Sequence, residues 1–140
     1  MTCGYQGYEF GGGYLDSICI GGFLWDADSG DEDGLTHGGE WACPHCNTKQ
    51  YLADALEEAK EGSCGQSMFT PWCAATQWEG ALRLAMREQP EETANFLRSV
   101  EPFVTCDWPD RDAVRDGRAS WDNTIDRQWP WAFNPESPNV

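Results

Sequence analysis

The chain has 140 residues, 40 % of them hydrophobic, with 8 Trp, 6 Phe and 4 Tyr and a formal net charge of −15. This excludes a wholly disordered chain, because each buried aromatic removes roughly 150–250 Å² from water. It also excludes a protein drawn to nucleic acid or anionic membrane by charge, and no apolar run approaches the ~18 residues of a membrane span.

The length fits one domain with a short appendage. Met1-Thr2-Cys3-Gly4-Tyr5 has neither the basic nor the apolar region of a signal peptide, so a cytoplasmic protein is expected. The charge is uneven. Glu9, Asp16, Asp26, Asp28, Asp31, Glu32, Asp33 and Glu40 all precede the first basic residue, Lys49.

Residues 1–25 alternate aromatic or aliphatic side chains with glycines. Gly11-Gly12-Gly13 and Gly21-Gly22 punctuate a run holding Tyr5, Tyr8, Phe10, Tyr14, Ile18, Ile20, Phe23, Leu24 and Trp25. Such a pattern predicts short strands joined by glycine turns, an antiparallel β-ribbon with Cys19 in its second strand-like run. Residues 26–40 read as an acidic loop.

Then comes Trp41-Ala42-Cys43-Pro44-His45-Cys46-Asn47-Thr48. Two thiolates separated by two residues can hold half of a tetrahedral zinc site or close a redox disulfide. An amphipathic helix is predicted from about Lys49 to Glu61, capped by Asn47 or Thr48 and ended by Gly62 in the left-handed conformation. Leu52, Ala55, Leu56 and Ala59 form its apolar stripe. A second helix is predicted from the Thr70-Pro71 cap to Glu88, with Ala74, Trp78, Ala81, Leu82 and Ala85 inward. Pro90-Glu91-Glu92 opens a third, burying Ala94, Leu97 and Val100, and a short turn of helix is expected over Pro109 to Asp116. The expected domain is therefore 1–117. Residues 118–140, with Trp121, Trp129, Trp131, Phe133 and three prolines, are expected to form a Trp/Pro-rich tail packed on the domain or extending from it.

The seven cysteines are Cys3, Cys19, Cys43, Cys46, Cys64, Cys73 and Cys106. In a reducing compartment such a set points to metal rather than disulfides, and an odd count fits a closed disulfide framework poorly. One zinc ion with four ligands plus free buried thiols is the simpler account. Cys43 and Cys46 are the firm pair. Cys19, on a strand before the knuckle, and Cys64, past the helix after it, are the expected partners. His37 is the first substitute, followed by Cys3 and Cys73. Two other readings stay open: the pair as plain buried thiols, and a thiol–disulfide oxidoreductase built on Cys43-Pro44-His45-Cys46. The redox fold needs a buried apolar strand just before the motif, and Gly34-Leu35-Thr36-His37-Gly38-Gly39-Glu40 does not provide one.

The segments Asp16-Ser17-Ile18-Cys19, Leu24-Trp25-Asp26-Ala27-Asp28, Gly39-Glu40-Trp41-Ala42-Cys43-Pro44-His45-Cys46-Asn47 and Pro71-Trp72-Cys73-Ala74-Ala75 resemble small, acidic, zinc-ribbon-like bacteriophage proteins, mostly uncharacterised. The resemblance implies no defined activity. Small acidic phage proteins include inhibitors of host defence of the anti-CRISPR and anti-restriction type, some of which occupy the nucleic-acid groove of their target. The expectation is thus an α+β chain: a glycine-rich antiparallel β-ribbon with a zinc knuckle, then three or four helices. Its leading function is non-enzymatic, the binding and blocking of a basic, nucleic-acid-handling host protein in the host cytoplasm. Trp25, Asp26, Asp28, Asp31, Glu32 and Asp33 are the expected partner face. A metal-dependent hydrolase and a zinc-supported scaffold are the remaining alternatives.

Overall fold

A computed structural model describes residues 3–10, 14–30, 32, 34–66 and 71–133. The architecture is α+β, with a four-stranded antiparallel sheet followed by four helices and two short two-stranded ribbons. Gly11-Gly12-Gly13, Thr70, Asp31 and Asp33 lie outside the described residues.

The sheet is a meander of β1 (Gln6–Gly7), β2 (Ser17–Ile20), β3 (Phe23–Asp26) and β4 (Gly38–Ala42) in that spatial order. Gly21 and Gly22, with φ of +64° and +90°, make the two-residue β2–β3 turn, whose twist requires positive φ at both positions. Between β3 and β4 the register slips after Leu24, which faces Trp41 while Trp25 faces Gly38. Only glycine fits this bulge, because a β-carbon on Gly38 would lie 2.6 Å from the Trp25 Cα.

The second half is built on α1 (Thr48–Glu61), α2 (Ala74–Glu88) and α3 (Pro90–Arg98). The predicted stripes meet here. Leu52, Ala59, Trp78, Leu82 and Ala85 form one buried cluster with Phe103 and Trp129. Between α1 and α2 the chain makes a small hairpin, β5 (Gly65–Gln66) with β6 (Pro71–Trp72). Pro71 therefore lies in a strand, and α2 starts three residues later than expected, at Ala74. Gly62 ends α1 in an extended conformation, not a left-handed one. The expected turn near Pro109 is α4 (Arg111–Arg115), where the Asp110 carboxylate accepts from the Asp112 N–H.

The tail expectation is refined most. β7 (Phe103–Asp107) pairs antiparallel with β8 (Ile125–Trp129) in five-residue register, from Phe103↔Trp129 to Asp107↔Ile125. Alternate β7 residues Phe103, Thr105 and Asp107 point inward. Trp129 packs edge-on against Trp78 at 5.7 Å and stacks on Phe103 at 6.2 Å. Trp131 donates from Nε1 to Glu79 at 2.6 Å. The segment after Gly117 thus supplies one strand and a share of the main core.

Candidate metal centre

A second, smaller buried cluster lies under the N-terminal sheet: Tyr5, Cys19, Leu24 and Cys43, with Phe10 and Leu84 against it. Two of its four members are cysteines, so the sheet has little apolar core of its own.

At this place the Sγ atoms of Cys3, Cys19, Cys43 and Cys46 lie within 4.8 Å of one another. Cys3 and Cys43 approach to 3.6 Å, and Cys19 and Cys46 to 3.5 Å. A tetrahedral ion with metal–sulfur bonds of about 2.3 Å needs sulfurs about 3.8 Å apart, so this set fits one ion. Cys19 and Cys43 are buried, whereas Cys3 and Cys46 are exposed.

Each ligand is held by local structure. Cys43 leaves β4 with its N–H bonded to the Gly22 carbonyl at 2.8 Å, and the Asn47 side-chain amide donates to the same carbonyl at 3.0 Å. Asn47 therefore stands at the α1 N-cap position without capping it through its side chain; it ties the knuckle to the β2–β3 turn instead. Thr48 Oγ1 donates to the Pro44 carbonyl at 2.7 Å. The His45 N–H points at the Cys43 sulfur, 3.4 Å away. From the other side, His45 Nδ1 meets Glu88 at 3.2 Å and the Gln89 amide donates to the His45 carbonyl at 2.8 Å. The end of α2 thus buttresses the turn that carries the thiols. Cys19 sits in β2 opposite Leu24, and its N–H reaches the Tyr5 carbonyl at 3.4 Å. This link from β2 to the start of the chain explains how Cys3 comes to the site.

The thiol acidities follow from these surroundings. Burial pushes Cys19 up, but the Cys3 backbone, the Cys46 thiol and the Gly22 backbone outweigh it and bring it down to about 7. Burial pushes Cys43 well above the ordinary thiol range. Cys46 rises to about 11, through burial and then the Cys19 thiol beside it. Metal must displace the protons on Cys43 and Cys46, so affinity is expected to rise with pH. Calorimetric titration in buffers of different ionisation heat should show more protons released per metal at pH 6 than at pH 8, because Cys19, at about 7, takes up its proton across that range.

Of the expected ligands, Cys19, Cys43 and Cys46 come together. The position expected for Cys64 is taken by Cys3, because Cys64 lies beyond the far end of α1 beside Cys106. A 14-residue helix is about 21 Å long at 1.5 Å per residue, which carries Cys64 away from the knuckle that precedes the helix. His37 is exposed and edge-on to Phe10 at 6.3 Å, and neither it nor Cys73 joins the thiol group. A redox Cys-x-x-Cys wants an accessible, acidic first thiol at a helix N-terminus. Here Cys43 is buried, its thiol is pushed up, and α1 begins only after the second cysteine.

The expected partner face is partly committed to structure. Trp25 is half-buried in β3, and Asp26 accepts from the Asp28 N–H at 2.9 Å. Asp28 in turn accepts from the Tyr14 hydroxyl, while Glu32 is exposed. A different acidic surface was not singled out by the sequence. Between β4, α1 and α2 runs a groove of about 270 Å³ lined by Trp41, Tyr51, Asp54, Glu58, Gln77 and Trp78, among others. Its sequence signal was the i, i+4 pair Asp54 and Glu58 next to the apolar stripe.

The thiol geometry is compatible with a four-cysteine metal site. Comparison with protein-family models, curated proteins and solved structures gave no match for this chain. No helix among the described residues is long and apolar enough to cross a membrane.

Proposed function

We propose that this chain is a zinc-stabilised, non-enzymatic binding protein that docks an acidic face on a basic, nucleic-acid-handling partner. Zinc is the ion assigned to the four thiols, since tetrahedral all-sulfur sites select zinc or iron–sulfur centres. Four protein ligands leave no position for a reactive water, which makes the site structural rather than catalytic.

The observation that carries the docking half is the groove. Trp41 is 49 % exposed at its edge, and Tyr51, Asp54 and Glu58 continue the same wall. Among the described residues, no Lys, Arg or His forms an ion pair with Asp54 or Glu58. Such a surface suits an arginine or lysine side chain of the partner: the aromatic face attracts the cation and the carboxylates complete its charge. With a net charge of −15, the rest of the molecule steers basic surfaces toward it. The outcome we infer is occupation of the partner's nucleic-acid groove, as in some small acidic phage inhibitors of host defence.

The test uses an arginine-rich peptide as probe and tryptophan fluorescence as readout. Binding is expected to weaken steeply with salt. The double substitution Asp54→Asn, Glu58→Gln should weaken it roughly fivefold, as the loss of about 1 kcal/mol implies, with metal content and Tm unchanged. Equal binding by the neutralised groove would move the docking face elsewhere, first to Asp26, Asp28 and Glu32.

A further inference from the structure

Three thiols take no part in the four-cysteine centre, and they gather at a second place. Cys64 lies just before β5, and Cys73 just after β6. Because Gly65 faces Trp72 in that hairpin, the two cysteines flank its mouth. Cys106 comes from β7, which packs against α1 and α2. Its Sγ lies 2.7 Å from that of Cys64, across 42 residues of sequence. Both residues are half-buried, so a small reagent can reach them.

Cys73 is differently placed. It is fully buried, with its sulfur 2.8 Å from Thr76 Oγ1 and 3.3 Å from Asp107 Oδ1. Asp107 itself pairs with Arg127 at 2.8 Å. Nor do these thiols form a second metal set. Among the described residues, the first four cysteines alone bring three or more donor atoms within 4.8 Å of one another.

We propose that Cys64 and Cys106 form a reversible disulfide that staples the mouth of the β5–β6 hairpin to β7. The oxidant is a low-molecular-weight disulfide. One protein thiolate attacks a sulfur of that molecule, forming a mixed disulfide and expelling one small thiolate. The second protein thiolate attacks the protein sulfur of the mixed disulfide and expels the other small thiolate. Two protein S–H bonds and one small-molecule S–S bond are replaced by one protein S–S bond and two small-molecule thiols. The cysteine pair loses two electrons and the small disulfide gains them. The bond joins points far apart in sequence, so it restricts the unfolded chain more than a local one would. It also anchors β7, and through it β8, to the end of α1.

The experiment takes the metal-loaded full chain through a series of oxidised-to-reduced glutathione ratios, traps free thiols by alkylation and maps linked peptides by mass spectrometry. The expected product is a Cys64–Cys106 peptide lighter by two hydrogens, with metal content unchanged. Its Tm should be higher by roughly 5–15 °C, and dithiothreitol should reverse the rise. Cys106→Ser should abolish both peptide and shift. The proposal is overturned by a Cys64–Cys73 link, by three thiols that stay free at the most oxidising ratio, or by a second metal equivalent that protects Cys64 and Cys106 from alkylation. The linked peptide is read in the unsubstituted protein, so the result does not depend on a variant folding.

Discussion

Removing the metal is expected to unfold the N-terminal sheet and leave the helical half folded. The reason lies in how the two halves bury apolar surface. The helical half has Leu52, Trp78, Leu82, Phe103 and Trp129 in one cluster. The sheet has Tyr5, Leu24 and two of the thiols themselves, and its first strand is only two residues long. Structural zinc sites supply about 10–16 kcal/mol of apparent binding free energy, which is as large as the whole stability of a typical domain. The purified, reduced protein should carry about one zinc per chain. Cys46→Ser is the informative variant, because Cys46 is exposed and its replacement removes a ligand with little loss of packing. It should lose the metal and the hydrogen-exchange protection of β2, β3 and β4, while amides of α2 stay protected. Cys43→Ser should do the same and also place a hydroxyl in the small buried core. A folded, reduced sample without metal would remove the zinc assignment. Simultaneous collapse of both halves would show that the two cores act as one.

Ending the chain after Gly117 is expected to unfold the helical half. The truncation removes β8, so β7 loses its only described strand partner. It also removes Trp129, which is 6 % exposed and touches both Trp78 and Phe103. Trp129→Ala alone should cost about 3–5 kcal/mol, the usual penalty for emptying an aromatic core position. Against a total of about 5–15 kcal/mol, that variant should melt far lower than the parent, and the truncated chain should show little cooperative melting. Thermal unfolding followed by circular dichroism checks both. Parent-like melting of the 1–117 chain would mean that the last segment only rests on a core complete without it.

The sequence by itself determined the helices, the knuckle and the charge. A 3.6-residue apolar period is a local property, so the inward faces of α1 and α2 could be read directly: Leu52, Ala59, Trp78, Leu82 and Ala85 are all buried. Cys43-Pro44-His45-Cys46 was equally legible, because a turn of four residues fixes its own thiols. Even the separation of Cys64 from the centre was implicit in the predicted helix length, since a rigid rod of known rise lies between it and the knuckle. What only the tertiary structure decided were pairings between distant segments. Cys3 reaches the centre through the antiparallel register of β1 with β2 and the bond from Cys19 to Tyr5, and nothing local marks it. The pairing of β7 with β8 turned a Trp/Pro-rich tail into core. Its register joins residues from 18 (Asp107↔Ile125) to 26 (Phe103↔Trp129) positions apart, across a loop whose closure no local propensity encodes. Asn47 looked like a helix cap because its type fits that role, yet the fold placed the Gly22 carbonyl within its reach. Local patterns specify what an element is; long-range packing chooses its neighbours, and the centre and groove of this protein are both made of neighbours.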